Sequence, residues 1–434
     1  IALGFLHAAL DTHIVGGEFE LVHDYDYRYR LNLIMYFDHI NGNPAAEDNT
    51  IQAYIYRKRD NAFITTVRLS QFRDTFVPYS NQDCAIGELV TRKIEYTVPV
   101  VLNPGVYNDR GGYYVIWERC CRNFDIDNII EPGETGQTFY LEFPPVVDPS
   151  GNRFINSSPI LLKPLRDYAC IDQLYYADFT GEDPDGDSLV YSMATPLGLT
   201  RPGTVVPLPS PAGPYTGSNV LWRPGYSATR QILGSQPLDI DSDGLLTVNP
   251  DRAGLFVFSV KVLEFRNGRK IGETRRDFQM LVISCPPPGM TPEVQALFPE
   301  KDRYYQEGET LSFNVEDEKC IRFYVKDRNE NEKVRFRLKP VNFPVDLSDA
   351  LSLTEAVLTS PDDSVAVDFC LPNCPYPDIF YLDIIAGDNT CPLPLQDTLR
   401  LGLQIEPIVK NNPLFLNGDD TVRITIQEGE SYHL

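Results

Sequence analysis

One short stretch of the sequence concentrates carboxylates at a spacing that suits metal chemistry. Pro184 fixes its backbone φ and Gly186 tolerates positive φ, so residues 183–186 predict a tight turn between two strands. So many negative charges on one turn repel each other, and a hard cation would remove that repulsion, since Ca²⁺ takes about six to eight oxygen ligands in a flexible geometry. The turn is therefore a candidate calcium site, and the alternative is an exposed acidic turn whose aspartates only cap backbone amides. The carboxylates are Asp178, Glu182, Asp183, Asp185 and Asp187.

A second acidic stretch resembles the first half of a calcium-binding loop of the type Asp-x-Asp-x-Asp-Gly. Its matching residues are Asp239, Asp241, Asp243 and Gly244. Counted from Asp239, the position that should supply the last, bidentate acid of an EF-hand loop is Pro250, which excludes a complete EF-hand. The stretch leaves open a weak calcium site or a β-turn with exposed aspartates.

The sequence holds few of the constellations that catalysis needs. Its five histidines show no spacing typical of a metal site, and neither a Gly-x-Ser-x-Gly elbow nor a His-Glu-x-x-His motif occurs. Cys120-Cys121 has no nearby histidine to activate a thiol nucleophile. The chain is predicted not to be an enzyme and to have no catalytic residues. A glycosidase-type carboxylate pair, as in an accessory domain of a secreted hydrolase, is the catalytic alternative left open.

Nine cysteines without zinc-type spacing indicate disulfides and an oxidising, extracellular location. Four of them fall in the third predicted domain, where we expect two bridges. Neighbouring side chains of a strand point to opposite faces, so Cys120 and Cys121 are expected to have different partners, with Cys84 and Cys170 as candidates. The candidate disulfide cysteines are Cys84, Cys120, Cys121, Cys170, Cys320, Cys370, Cys374 and Cys391.

The composition and the hydrophobic period indicate an all-β protein. Tyr and Phe dominate the aromatic residues, Pro reaches 35, and helix-forming runs are nearly absent. The segment Tyr27–Phe37 alternates between apolar and polar residues, as a half-buried strand does. Turn signals such as Asn267-Gly268 separate runs of this kind. We predict tandem immunoglobulin-like β-sandwich domains in an extended array.

Proline-rich segments and one repeat divide the chain into domains. The run Pro286–Gly289 is the clearest linker, and Gln427–Tyr432 repeats Gln306–Leu311, as expected of a tandem array. We therefore expect this chain to be the N-terminal part of a longer protein. The predicted segments are 1–11, an apolar N-terminal strand or signal remnant; 12–150, an N-terminal β-sandwich; 151–287, a PKD- or cadherin-like β-sandwich with the acidic turns; 288–407, a third β-sandwich; and 408–434, a linker and the first strand of a further repeat.

The apolar segment Ile1–Leu10 is expected to be buried, because an apolar strand left in solvent would promote aggregation. It can add to a sheet of its own domain or to a neighbouring molecule. Head-to-tail exchange between molecules would build a filament.

Several motifs occur together in this sequence, and as a set they resemble the N-terminal region of large gliding-motility-associated surface proteins of Bacteroidetes. The motifs are Thr12–Glu18, Trp117–Asn123, Asp183–Ser188, Glu264–Gly268 with Arg275–Gln279, and Ala386–Pro392. The resemblance covers about residues 12–407. It implies a long chain of PKD- or cadherin-like, immunoglobulin-like repeats that is exported through the type IX secretion system. This sequence departs from the family at Asp239–Gly244, where a plain Asp-x-x-Thr-Gly turn is usual.

The net charge of −23 argues against nucleic acid and anionic membranes as partners. No apolar run approaches the length of a membrane span. The predicted function is a structural or adhesive module at the bacterial cell surface, whose partners are other protein domains or copies of itself. A carbohydrate-binding surface module is the alternative, although its two tryptophans, Trp117 and Trp222, lie in apolar strands and favour a place in the core.

Overall fold

The structure is a computed structural model. It describes residues 14–42, 47–161, 163–200, 214–215, 217–298, 301–314, 316, 318–347, 349–371 and 379–406. The predictions for Ile1–Leu10, for residues 408–434 and for Cys374 lie outside these ranges.

The chain divides into two compact units. Unit 1 comprises Ile1–Pro288 together with Thr390–Leu393, and unit 2 comprises Gly289–Asn389 together with Pro394–Leu434. The division falls in the predicted linker Pro286–Gly289. The predicted boundary between residues 150 and 151 falls inside unit 1 and stays a prediction.

The described part of unit 1 contains sixteen strands. The first seven are β1 (Ile14–Tyr25), β2 (Arg28–Asp38), β3 (Thr50–Arg57), β4 (Ala62–Phe76), β5 (Thr91–Val101), β6 (Tyr113–Arg119) and β7 (Gln137–Phe143). The others are β8 (Ile160–Leu161), β9 (Ala169–Cys170), β10 (Tyr175–Asp178), β11 (Gly181–Glu182), β12 (Ser188–Ala194), β13 (Gly234–Ile240), β14 (Leu245–Pro250), β15 (Gly254–Arg266) and β16 (Arg269–Ile283).

Strand β16 belongs to two layers of unit 1. The order β1-β2-β5-β4-β3-β6-β7-β16 returns to β1, because Gly17 of β1 pairs with Asp277 of β16. This ring of eight strands encloses one hydrophobic core. β16 also pairs with β15, which pairs with β12, and a second core lies between these strands and the sheet β10-β14-β13. Glycine is required where β1 meets β16, since a Cβ on Gly16 would lie 2.0 Å from the carbonyl oxygen of Asp277.

The alternation predicted for β2 explains its place between the two cores. Tyr29, Leu31 and Leu33 are buried in the first core, as the period of two predicts. Ile34 and Tyr36 point to the other side and are buried in the second core. The strand is therefore apolar on both faces at its C-terminal end.

Unit 2 is a β-sandwich of immunoglobulin-like architecture. A three-stranded sheet, β17-β19-β22, faces a five-stranded sheet, β18-β24-β23-β20-β21, across one hydrophobic core. No α-helix occurs among the described residues, and the all-β prediction is confirmed. The strands are β17 (Glu293–Ala296), β18 (Thr310–Asn314), β19 (Cys320–Lys326), β20 (Glu332–Pro340), β21 (Glu355–Leu358), β22 (Ser364–Cys370), β23 (Phe380–Gly387) and β24 (Gln396–Glu406).

Within the described ranges, no helix has the length and apolarity needed to cross a membrane.

Among the described residues, four disulfides join the eight described cysteines in pairs. Cys320 and Cys370 lie directly opposite each other on β19 and β22, so one of the two bridges expected inside the third domain is present. The four bonds are Cys84–Cys391, Cys120–Cys121, Cys170–Cys285 and Cys320–Cys370.

The predicted partners of Cys84, Cys120, Cys121 and Cys170 are wrong. Cys120 and Cys121 bond to each other, because β6 ends at Arg119 and the alternation of strand side chains does not extend to them. Cys391, assigned by sequence to the third domain, lies in the Thr390–Leu393 segment of unit 1 and bonds to Cys84.

Cys170 bonds to Cys285, which was not among the candidates. The pairing follows from the parallel ladder between β9 and β16, which sets Cys170 beside Ile283. Sequence position alone shows none of these proximities.

A buried carboxyl on β1 gives the fold a pH dependence. Asn32 Nδ2 donates to Glu20 Oε2 at 3.3 Å, and burial, followed by the neighbouring charge of Glu18, raises the pKa of Glu20 to about 7. Since this folded-state pKa lies above the ordinary value of 4.5, the proton stabilises the fold fully below that ordinary value, and this stabilisation is lost as the pH rises through about 7.

Replacing Glu20 with glutamine is therefore expected to flatten the pH dependence of stability. The variant should be more stable than the native chain near pH ~8, by up to about 3 kcal/mol, and close to it near pH ~5. Thermal unfolding at the two pH values measures the effect, with the exposed Glu88→Gln as control. Parallel pH profiles for the native chain and Glu20→Gln would contradict the assignment.

Candidate metal centre

The acidic turn forms as predicted between β11 and β12. The backbone N–H of Gly186 donates to the carbonyl of Asp183 at 3.2 Å, and Gly186 has a φ of 79°. β12 follows the turn at once and pairs with β15, with Leu189 opposite Glu264. The turn is thus held against the C-terminal end of β15.

Three carboxylates converge where the turn meets β15. Oxygens of Asp183, Asp187 and Glu264 lie within 4.8 Å of one another. Glu264 is only 1% exposed, so this cluster reaches into the protein. Sequence reasoning found the two aspartates and missed Glu264, which lies about 80 residues further along. Its place in the Glu264–Gly268 motif was the sequence signal that could have identified it.

One oxygen of the cluster has no partner in the described structure. Asp183 Oδ1 accepts the backbone N–H groups of Asp185 at 2.9 Å and of Asp187 at 3.0 Å. Asp183 Oδ2 is buried and has no hydrogen bond among the described residues. Because a buried oxygen without a partner is costly, this atom is suited to a ligand role.

Arg266 is the counter-charge of the cluster. Its Nε donates to Asp187 Oδ1 at 2.7 Å, and its Nη2 donates to Asn156 Oδ1 at 2.9 Å. The same guanidinium lies 4.8 Å from the centre of the Phe154 ring. One positive charge faces four nearby acids, since Asp185 also lies 4.0 Å from Arg266 Nη2. A divalent cation would reduce the remaining repulsion.

The titration of Glu264 reflects this crowding of charge. Burial, together with the negative charges of Asp183 and Asp187, raises the pKa of Glu264 to about 8, despite a hydrogen bond from Asn156 Nδ2 at 2.7 Å. Burial also raises the pKa of Asp183. Without a cation, a proton on Glu264 relieves the repulsion.

The other acids predicted in this stretch have different surroundings. Lys163 Nζ pairs with Asp178 Oδ2 at 2.5 Å. Burial favours a higher pKa for Asp178, but hydrogen bonds from Lys163 and Thr180 outweigh it and lower the pKa to about 2. Glu182 is exposed on β11. Asp185 accepts a hydrogen bond from the backbone N–H of Ser157.

The second acidic stretch is a β-turn in which a carboxylate caps backbone amides. Asp241 Oδ1 accepts the N–H groups of Asp243 at 3.0 Å and of Leu245 at 2.9 Å. Asp239 Oδ1 accepts the N–H of Ile240. Among the described residues, Asp239, Asp241 and Asp243 do not join a three-acid cluster. All three aspartates are exposed.

Buried ion pairs join motifs that are far apart in sequence. Arg276 contacts Glu18 with Nε–Oε2 at 3.1 Å, which connects the Arg275–Gln279 motif to the first motif of the chain. Arg122 of the Cys-Cys-Arg-Asn segment pairs with Asp277 at 2.7 Å. Three of the motifs therefore meet in unit 1 through these pairs, where they hold β1, β6 and β16 together.

The three clustered carboxylates do not form an open pair of the glycosidase type. The Asp187 side chain is 4% exposed, and Arg266 covers it. A glycosidase pair must flank a bound sugar, with about 5–10 Å between the carboxyls. The geometry fits a bound ion better than a substrate.

No family model matches the chain, and no curated protein matches it. Among solved structures, the D00-D0 domain of intimin is 10% identical, with a TM-score of 0.16, over 54% of this chain and 95% of that one. Drosophila OTK extracellular domains 3–5 are 10% identical, with a TM-score of 0.16, over 92% of this chain and 98% of that one. Zebrafish RET cadherin-like domains 1 to 4 are 10% identical, with a TM-score of 0.16, over 83% and 73%. Similarities at this level support no conclusion about what the chain binds.

Proposed function

We propose that the chain is a non-catalytic structural or adhesive module of a bacterial extracellular protein. The observation that carries the proposal is the set of four disulfides on an all-β scaffold, one of them closing a sequence separation of 307 residues. Disulfides persist in oxidising surroundings outside the cytosol. A covalently fixed array of sheets suits a scaffold that presents surfaces to partners.

We further propose that calcium stabilises unit 1 at the cluster of Asp183, Asp187 and Glu264. The supporting observations are the convergence of three carboxylates, the buried, unpartnered Asp183 Oδ2, and an acid excess that Arg266 alone does not balance. Oxygen donors of this kind suit Ca²⁺. Protein oxygens would fill part of the coordination shell and water the rest.

The proposal of a particular family and export route rests on the sequence motifs. Their resemblance supports a gliding-motility-associated surface protein exported by type IX secretion, with other protein domains or further copies of this chain as partners. Filament formation through Ile1–Leu10 belongs to the same proposal, which the described residues do not address.

Adhesion is tested with beads coated with the full chain under non-reducing conditions. We expect coated beads to clump or to attach to bacterial cell surfaces more than beads coated with albumin. Protein reduced and alkylated before coating is the control, because it lacks the disulfides that hold the scaffold. Coated beads that adhere no better than albumin beads to either surface would contradict an adhesive role.

A further inference from the structure

A cavity of about 390 Å³ opens in unit 1, away from the metal cluster. It lies between the loop that precedes β6, the segment after β7 and the hairpin between β15 and β16. Its volume falls in the range of about 300–1,000 Å³ that is typical of small-molecule sites. None of Asp183, Asp187 and Glu264 lines it.

The cavity collects positive charge in an acidic protein. The chain as a whole has a net charge of −23, yet most charged side chains of the lining are basic. Like charges gathered in a concave site attract ligands of opposite sign. The basic residues are Lys58, Arg110, Arg266, Arg269 and Lys270, and the acidic ones are Glu142 and Asp148.

Both acids of the lining are already engaged. Lys58 Nζ contacts Glu142 Oε2 at 2.5 Å, and Lys270 Nζ contacts the same oxygen at 3.1 Å. Asp148 Oδ1 accepts the backbone N–H groups of Ser150 at 2.8 Å and of Asn152 at 2.9 Å, which fixes its own loop. These acids therefore do not neutralise the remaining arginines.

Two arginines of the lining are left for a ligand. Arg266 is committed to Asp187. Arg110 and Arg269 are exposed, and neither side chain has an ion pair or hydrogen bond with another described residue. A guanidinium binds a carboxylate through two parallel N–H···O bonds, so two free guanidiniums at one cavity select for acidic ligands.

The remaining lining favours a compact ligand over an extended peptide. Phe143, Pro144, Pro145 and Phe154 form an apolar wall. Peptides that bind sheets add to an unpaired strand edge. Here β7 pairs with β6 along its length, whereas β16 pairs with β7 only at Glu273 and Thr274. The edge of β16 at the cavity is therefore limited to Arg269–Gly272, which is shorter than the roughly five or six residues of a typical strand.

We propose that this cavity binds an acidic saccharide, with Arg110 and Arg269 contacting uronic acid carboxylates and the apolar wall packing against a sugar ring. The inference rests on the proposed adhesive function and gives it a chemical target. It also assigns a binding role to residues outside both acidic turns.

Titration calorimetry of the full chain with oligogalacturonate tests the proposal. The matched probe is the same oligosaccharide with its carboxylates methyl-esterified, which keeps the sugar rings and removes the charge. We expect the acid form to bind at least about tenfold more tightly than the ester, with an affinity that falls as salt increases. The double variant Arg110→Ala/Arg269→Ala should weaken binding by at least about tenfold, because charge-assisted hydrogen bonds are lost.

Arg223→Ala is the control, since Arg223 is exposed in unit 1 and does not line the cavity. It should bind as the native chain does, and all variants should melt at the native temperature. Equal binding of acid and ester, undiminished binding by the double variant, or no binding of oligogalacturonate would overturn the proposal. If poly-glutamate binds at the same arginines more tightly than oligogalacturonate does, the cavity is a site for acidic polypeptides and the saccharide proposal is overturned.

The bead assay and calorimetry test the adhesive function and the saccharide site separately. Beads that adhere while oligogalacturonate fails to bind would reject the saccharide alone. Oligogalacturonate that binds through Arg110 and Arg269, with coated beads that do not adhere, would keep the site and reject the adhesive role.

Discussion

Arg276→Met is expected to lower the free energy of unfolding of unit 1 by about 3–5 kcal/mol. Arg276 is fully buried, and its guanidinium contacts both carboxylate oxygens of Glu18, at 3.1 and 3.2 Å. It also donates to the carbonyl of Lys163 at 2.6 Å and lies 4.9 Å from the centre of the Phe179 ring. Removing it leaves Glu18 buried and uncompensated, which costs more than the ion pair itself contributes.

The double variant Arg276→Met/Glu18→Gln should recover much of this loss, because it removes the isolated buried charge. Arg322→Met is the surface control. Arg322 and Asp368 are about half exposed and 2.7 Å apart, so their pair should contribute only about 0–1 kcal/mol. Thermal unfolding compares the four proteins. A single variant at Arg276 that melts like the native chain would refute a central role for this pair.

Calcium is expected to raise the melting temperature of the native chain, and Glu264→Gln to abolish the rise. At a free concentration about a hundredfold above Kd, binding to the native state alone stabilises it by about 2.7 kcal/mol. Glutamine keeps an oxygen that can accept the hydrogen bond from Asn156, but it supplies no negative charge for a cation. Scanning calorimetry in calcium and in chelator measures the difference.

The second acidic turn provides the control for calcium. Asp241→Asn preserves an oxygen that can cap the same amides, so this variant should respond to calcium as the native chain does. Calcium must also displace the proton on Glu264, whose pKa is about 8. The rise should therefore be larger above that pKa than well below it. If the melting curves of the native chain in calcium and in chelator superimpose, the cluster does not bind calcium and is an acid site that carries a proton.

Local patterns predicted the strands well because their physical cause is local. The period of two in β2 follows from the pleat of a single strand, and Tyr29, Leu31 and Leu33 are buried as it requires. The turn at Gly186 follows from the φ preferences of four consecutive residues. Neither prediction requires knowledge of what packs alongside.

The sequence identified only part of the candidate site, because its three acids come from parts of the chain that are far apart in sequence. Asp183 and Asp187 stand in one turn, whereas Glu264 reaches them through the register of β12 with β15. The same limit explains the disulfides, since the pairing of Cys170 with Cys285 depends on β9 lying beside β16. Motifs that occur together gave the one long-range signal, because their charged residues meet in buried pairs such as Arg276 with Glu18.

The bond between Cys84 and Cys391 has a mechanical consequence. When such a chain is pulled from its two ends, tension enters before Cys84, crosses the sulfur–sulfur bond and leaves after Cys391. The backbone between the two cysteines, which are 307 residues apart in sequence, therefore cannot be extended while this bond is intact. While the disulfide is intact, only the segments before Cys84 and after Cys391 can be extended by force. A reductant would break the bond and allow the segment between the two cysteines to extend as well.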